Sequence, residues 1–244
     1  MHRVRSRLQN PLRTMSTNSK HPSLSHYSSC EISDALIKLG LPHGGHLPDV
    51  CMLSPSGSGS DAKVCAPAYT VQMVLGSDKS APKLTEHFVD TATAGSVIVI
   101  DAPAETKSAV WGGLMTAGAQ ARGAVGVIIS GRCRDIGEHR ASQFPVFARG
   151  QSTLGQSPFT RPAAVNVPIV IAPRGEGAAE FAVVRVEPGD WMIGDEDGVV
   201  CVPKEMVDRV VELAEKGKAI DAKCLEDIRA GKGVQASFKL HRGK

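Results

Sequence analysis

The stretch WGGLMTAGAQARGAVGVIISGRCRD, residues 111–135, decides how this chain is read. Trp111-Gly112-Gly113 reads as a flexible entry. Leu114, Ala117 and Ala121 recur at helical spacing, and Gly123 is a stop signal. Residues 125–129 are a short apolar run of the kind that forms a buried strand. Gly131 then opens a loop that carries Arg132, Arg134 and Asp135. Upstream, Ser-Val-Ile-Val-Ile-Asp at 96–101 reads as a second buried strand. Strand, helix and strand in succession make two parallel strands joined by a right-handed crossover. The helix start at Gly112–Leu114 and the pair Arg134-Asp135 then face each other across one rim. Open α/β sheets bind ligands at that rim.

The residue types suit an anion and a metal. A helix start offers backbone N–H groups and the positive end of the helix dipole. Arg134 adds a planar fork that matches a carboxylate or phosphate. Asp135 is a hard oxygen ligand, and Mg²⁺ is often held by only one or two carboxylates, with water and substrate completing its shell. An ordinary helix start beside a surface Arg–Asp pair would carry the same spacing.

Working outward, the folded part starts near Ser28, where Ser28 and Glu31 form a capping-box pattern. Ile32, Ala35, Leu36 and Leu39 give the first helix its apolar stripe. Residues 41–61 read as a loop, and His43 and His46 as loop histidines rather than a ligand pair. Residues 66–75 alternate as a strand, and 83–94 read as a helix with the stripe Leu84, Phe88, Ala92. His139 reads as a solvated helix position, although a proton carrier beside Asp135 would also sit there. Short strands are expected at 144–148, 167–172, 182–186 and 198–202, with residues 150–162 as a polar connection. Asp195-Glu196-Asp197-Gly198 reads as a turn. Helices at 204–216 and about 220–230 precede a basic tail at 239–244. The pattern predicts one α/β domain over 27–244, a mixed central sheet flanked by helices.

Composition is that of a globular α/β protein: 42% hydrophobic and 22% charged residues. The net charge is only +3, with positive residues concentrated at the N-terminus, which argues against a broad nucleic-acid surface. No apolar run is long enough to span a membrane. The six cysteines, Cys133 among them, have neither C-x-x-C nor zinc-finger spacing and read as reduced thiols of an intracellular protein. Residues 1–26 hold Arg3, Arg5, Arg7, Arg13 and Lys20 and no acid. That segment fits a mitochondrial targeting peptide, a disordered tail, or an extension upstream of a second start at Met15. The expected location is intracellular, cytoplasmic or mitochondrial.

Several pieces now line up with a known family. They are Ser33-Asp-Ala-Leu36, Cys65-Ala-Pro-Ala-Tyr-Thr-Val71, Gly95-Ser-Val-Ile-Val-Ile-Asp101, Trp111-Gly-Gly-Leu114, Gly131-Arg-Cys-Arg-Asp135, Pro145-Val-Phe-Ala-Arg-Gly150, and Pro188-Gly-Asp190 with residues 194–199. In order and spacing the chain resembles the RraA-like family over about residues 28–230. That family includes metal-dependent class II 4-hydroxy-4-methyl-2-oxoglutarate aldolases, which also decarboxylate oxaloacetate. The resemblance implies a swivelling β/β/α-type fold, assembled as homotrimers or hexamers with sites near subunit boundaries. It implies that Arg134 binds the keto-acid end of the substrate and that Asp135 ligates Mg²⁺ or Mn²⁺. The backbone amides of Gly112, Gly113, Leu114 and Met115 would hold the carboxylate. Gly113 departs from the pattern, since many relatives carry an acid there. A neighbouring subunit's Asp221 or Glu226 is a loose match for a further family acid.

Two functions of different class follow. One is a metal-dependent lyase acting on small 2-keto acids, with Arg134 and Asp135 at its centre. The other is a non-catalytic, protein-binding regulator of the same fold, which Gly113 and the basic tails would suit. Fold alone does not choose between them.

Overall fold

A computed structural model describes residues 24–55, 63–175 and 177–243. Residues 1–23, most of the segment read as a targeting peptide, lie outside that range, as do residues 56–62. After a short 3₁₀ turn at Leu24–His26 comes helix α1 (Ser29–Lys38), and β1 (Cys51–Ser54) and β2 (Val64–Leu75) follow. Next come β3 (Val97–Asp101), β4 (Ala109–Trp111), α2 (Gly113–Arg122), β5 (Gly126–Cys133), α3 (Ile136–Ala141) and β6 (Val146–Gln151). The chain continues with β7 (Thr160–Val165), β8 (Ile169–Ile171), β9 (Val184–Val186), β10 (Trp191–Asp195) and β11 (Gly198–Val202). It ends in α4 (Val207–Arg229) and α5 (Val234–Arg242).

One mixed sheet runs in the order β1-β6-β5-β3-β2-β10-β11, with β4 added to β5 and β7 to β2, while β8 and β9 pair separately. The centre is parallel: Ala68 pairs with Val97, Val97 with Gly126, and Val127 with Val146. Strand alternation sorts the core onto two faces. Ile98, Ile100, Val127 and Ile129 join Phe88, Trp111 and Ala119 on the α2 side. Val97, Val99 and Ile128 face the other way, against Phe147, Ile169, Ile171 and Val186. A third cluster packs α1 and α4 on β10 and β11 through Ile32, Leu36, Val210, Val211, Ile193 and Val200. The expected α/β fold with a mixed sheet flanked by helices is the one observed.

Helix α1 begins as its sequence asks. Glu31 N–H donates to Ser28 Oγ, and Ser28 N–H donates to Glu31 Oε2 at 2.8 Å. Its next orphan amide finds a distant partner: Ser29 N–H and Oγ–H donate to Asp195 at 2.7 and 2.6 Å. The Asp195 turn is therefore a clasp on α1. Leu24, in a short 3₁₀ turn, is buried in the α1–α4 cluster, so the packed chain includes residues that the sequence grouped with the N-terminal extension.

Other expectations change. Residues 83–94 form no helix but a series of turns, with Asp90 N–H to His87 O and Ala92 N–H to Val89 O. The stripe is still used, because Phe88 is buried and Leu84 and Ala92 pack on its cluster. Burial alone explains the spacing, and the β-branched Thr85, Val89, Thr91 and Thr93 weaken the helical alternative. Residues 204–216 and 220–230 are not two helices. Gly217 lies inside α4, whose packing on α1 overrides a penalty of roughly 1 kcal/mol for a helical glycine. Most of the supposed basic tail is α5, fixed by His241 to Asp227 at 2.8 Å and by Arg242 to Asp221. Strands β1, β4, β7 and β10 are too short or too polar at their flanks to stand out in the sequence.

His139 is the largest departure. It is fully buried beneath α2, not solvated. Trp111 Nε1–H donates to Thr116 Oγ1 at 2.9 Å, and Thr116 Oγ1 lies 2.9 Å from His139 Nδ1. His139 Nε2 has no hydrogen-bond partner. Desolvation is the main cause that pushes the His139 pKa down from 6.5, so the imidazole is neutral in the native state.

Two outcomes are expected. Asp195→Ala should cost about 1–3 kcal/mol in urea unfolding, because the α1 amide loses its charged acceptor; an unchanged midpoint would show that the clasp carries no load. For His139 the unfolded chain binds the extra proton first as pH falls. Its contribution is complete above about pH 6.5 and shrinks as pH drops toward the lower native pKa. The melting temperature should therefore fall between pH 7 and 5 more steeply in the wild type than in His139→Gln, and equal slopes would contradict this.

Candidate active site

Strands β3 and β5 run side by side and parallel, and β4 joins the end of β5 by pairing Trp111 with Cys133. Because β4 ends where α2 begins, the helix start is held at the mouth of β5. Strand β5 continues through Gly131 and Arg132 to Cys133, so the expected loop begins later, at Arg134. Arg134 N–H donates to Trp111 O at 2.9 Å. Gly113 N–H donates to Asp135 Oδ2 at 3.0 Å. The sequence expectation that these two segments face each other is met by direct hydrogen bonds.

Trp111-Gly112-Gly113 is not a flexible entry. Trp111 is buried and bonded to Thr116, and the glycines are there for space. A Cβ on Gly112 would lie 2.5 Å from Asp135 Oδ2 and 3.3 Å from Arg134 Nε. A Cβ on Gly113 would lie 1.6 Å from Glu138 Oε2. Gly155 plays the same part for Arg134, whose Nη1 would stand 3.0 Å from an added Cβ. Asp135 itself sits in the left-handed region at φ 63°. That conformation, uncommon for a non-glycine residue, turns its carboxylate away from its own helix α3 and onto α2.

A cleft of about 160 Å³ opens between these groups, lined by Gly112, Leu114, Met115, Arg134 and Asp135, together with His87 and Gln156. Arg134 is 46% exposed in its side chain and lies 3.5 Å from Asp135 Oδ2 through Nε. Its terminal nitrogens can meet an anion. The four expected amides are not equivalent. Gly113 N–H is committed to Asp135, and Met115 N–H closes the first turn onto Gly112 O at 3.0 Å. Among the hydrogen bonds of the described residues, the Gly112 and Leu114 amides have no acceptor, and the Leu114 amide lies within the first turn of α2, open to a ligand. Cys133 is buried behind the loop, and burial pushes its thiol up to about 12, so it is packing rather than a nucleophile.

His87, Gln156 and Glu138 were not singled out by the sequence. His87 lies in the segment mistaken for a helix, and Gln156 in the loop that reaches β4 through Ala109 N–H to Leu154 O. Only tertiary pairing brings them here. Glu138 lies one turn after Asp135, a spacing that could have flagged it.

Larger depressions lie elsewhere. One of about 690 Å³ lies at the ends of β3, β5 and β6 and is lined by Arg132, Arg149 and Arg174. There the guanidinium donors are used within the fold. Arg149 bonds Ser130 Oγ, Ala172 O and Asp49, while Arg174 bonds Ser130 O and sits 3.8 Å from Asp101.

The donor set can be tested against a divalent cation. Among the described residues no group of three or more His, Cys, Asp and Glu side chains could hold a metal. Asp135 keeps Oδ1 beyond the oxygen bonded to Gly113, and Glu138 adds a second hard carboxylate at the same helix start. One or two carboxylates fit a water-rich Mg²⁺ or Mn²⁺ site and do not fit zinc, which favours closed nitrogen and sulfur sets.

Comparison with known proteins agrees with this architecture. A relative from Halalkalibacterium halodurans, named "Putative 4-hydroxy-4-methyl-2-oxoglutarate aldolase", is 34% identical over 159 residues, 65% of this chain and 69% of the relative. An uncharacterized protein from Pseudomonas syringae pv. tomato superposes with a TM-score of 0.70 at 29% identity, over 87% of this chain and 92% of its own. Streptomyces coelicolor RraAS2, described as an unusual member of the RNase ES inhibitor RraA family, shares the fold with a TM-score of 0.64 at 23% identity over 85% and 93% of the two chains. The family model described as Aldolase/RraA matches residues 29–201, and the chain therefore belongs to the RraA-like family.

Proposed function

We propose that this chain is a divalent-metal-dependent lyase acting on small 2-keto acids. Its reactions would be retro-aldol cleavage of 4-hydroxy-4-methyl-2-oxoglutarate-like substrates and decarboxylation of oxaloacetate. The observation that carries this reading is the hydrogen bond from Gly113 N–H to Asp135 Oδ2 at 3.0 Å, which places Arg134 and Asp135 at the open amides of α2. The aldolase name of the Halalkalibacterium halodurans relative supports the same class of substrate.

Each residue then has a task. The Leu114 amide and the α2 dipole would take the substrate carboxylate, and Arg134 would clamp its keto-acid end through two parallel N–H···O bonds. Asp135 would hold Mg²⁺ or Mn²⁺, with Glu138 near enough to support its shell. Such a cation supplies Lewis-acid polarisation of a keto oxygen. Both reactions leave the electron pair of the broken C–C bond on a pyruvate enolate, so one clamp serves both. A cleft of about 160 Å³ suits a ligand of a few heavy atoms rather than a nucleotide.

Two observations weigh against the regulatory alternative, although its N-terminal basic segment lies outside the described residues. The space beside Gly113 already holds a carboxylate, and most of the basic tail is the packed helix α5. A homotrimer or hexamer remains part of the proposal. Leu114 at the cleft is 82% exposed, and Leu154 on the neighbouring loop is 48% exposed, so both are available to an adjoining subunit.

The test is pyruvate release from oxaloacetate by purified protein in Mg²⁺ or Mn²⁺. The rate should exceed the metal-only background and return to it with excess chelator. Asp135→Ala should lose the protein-dependent rate, and Arg134→Lys should lose most of it, because a point charge cannot replace the bidentate fork. Equal rates with and without protein would overturn the proposal.

A further inference from the structure

Two polar side chains of the cleft have no task in the scheme above. His87 and Gln156 line it together with Arg134 and Asp135, and the rest of the lining is apolar side chain and glycine backbone. His87 enters from the turns between β2 and β3. Its ring stacks on the fully buried Phe88 with centroids 4.7 Å apart. Val89 N–H donates to His87 Nδ1 at 3.3 Å, so the ring's own proton sits on Nε2, the nitrogen farther from the backbone. Gln156 enters from the loop before β7, where its backbone oxygen accepts from Phe159 N–H and Thr160 N–H at 2.9 Å each. Its side-chain amide gives one hydrogen to Thr160 O at 3.4 Å and has a second to offer. His87 is exposed and Gln156 half-buried, so this end of the cleft is open to solvent.

We infer that His87 and Gln156 form a second subsite, which takes the distal carboxylate of a dicarboxylic 2-keto acid. The inference rests on the lyase reading above and names its substrate class. Arg134 and the Leu114 amide are taken by the carboxylate beside the keto group. The other N–H donors among the lining side chains are His87, Gln156 and Trp111, and Trp111 Nε1 is spent on Thr116. Asp135 is the only carboxylate of the lining. A ligand that uses the whole cleft therefore presents acceptors at both ends. A second carboxylate has two oxygens, one for each donor. At the open end it keeps part of its water, so two N–H groups serve where a buried carboxylate would need a paired cation. In aldol cleavage that carboxylate keeps its charge throughout. Its hydrogen bonds help substrate and transition state alike and so appear in KM rather than in kcat. Oxaloacetate is one carbon shorter, and its second carboxylate leaves as carbon dioxide. Decarboxylation therefore gains less from this subsite than cleavage of a five-carbon diacid.

The experiment compares two keto acids by calorimetry on the purified protein in Mg²⁺ buffer. One is 2-oxoglutarate, which has the second carboxylate and no hydroxyl to cleave; the other is 2-oxopentanoate, the same carbon chain ending in a methyl group. Wild type should prefer 2-oxoglutarate by roughly 10- to 100-fold, the range of a hydrogen bond to a charged acceptor. His87→Phe keeps a ring on Phe88 and loses the donor, and Gln156→Met keeps the length of the side chain and loses the amide. Each should cut that preference by about fivefold or more, and His87→Gln, which restores an N–H, should recover part of it. In turnover of 4-hydroxy-4-methyl-2-oxoglutarate, His87→Phe should raise KM by about tenfold and leave kcat within about threefold, whereas a purely structural role would lower the melting temperature and erode both parameters. Equal affinity of wild type for the two acids, or an unchanged preference in both His87→Phe and Gln156→Met, would overturn the subsite while leaving the lyase reading intact. A wild-type protein that neither binds these acids nor turns over either lyase substrate would overturn the lyase reading, and this inference with it.

Discussion

The hydrogen bond between Gly113 N–H and Asp135 Oδ2 is the contact on which the site depends. It joins the start of one helix to the loop after a strand, across the crossover that connects them. A second bond, Arg134 N–H to Trp111 O, holds the same two segments through the backbone. With both in place, Asp135 is kept in a left-handed conformation that its neighbours over-determine. The carboxylate cannot turn back to cap α3 without giving up the Gly113 amide. Gly112 and Gly155 leave the room that this geometry needs. Beneath it, the Trp111–Thr116–His139 chain supports α2 and α3 from inside the core. A buried neutral histidine in that position links the shape of the site to pH through stability rather than through direct chemistry.

The parallel crossover was legible in the sequence because its signals agree. A strand run at 96–101, a helical stripe closed by Gly123 and another apolar run at 125–129 allow few arrangements, and their chirality is fixed by strand twist. Arg134 and Asp135 were legible for the same reason, since a known topology says where the loop after β5 must go. Residues 83–94 were not legible. Leu84, Phe88 and Ala92 are spaced like a helix face, yet they pack on the core from a chain of turns, and periodicity reports packing before it reports backbone. Gly217 misled in the opposite sense, because helix propensity is a weak local term and α4 is held by its packing on α1. His139 was misplaced because one turn of α3 contains both Glu138, which is exposed, and His139, which is buried. Only the position of α2 decides which is which.

At Gly113 a carboxylate from another element comes close to the start of α2. In sequence, the glycine reads as the loss of an acid. In three dimensions, the Glu138 carboxylate stands over its α-carbon, and removing the side chain is what admits it. The positive end of the α2 dipole favours a carboxylate from either source. Chemistry at such a site is therefore better judged from the charges that reach the helix start than from any single residue of a motif.

The central claim is that the α2 start, Arg134 and Asp135 together bind a 2-keto acid with its metal. A crystal structure of the protein soaked with Mn²⁺ and pyruvate tests it most directly. Anomalous scattering from manganese should appear beside Asp135 Oδ1, with the pyruvate carboxylate on the Leu114 amide and the Arg134 guanidinium. Manganese and pyruvate both bound away from this cleft, for instance among Arg132, Arg149 and Arg174, would contradict it.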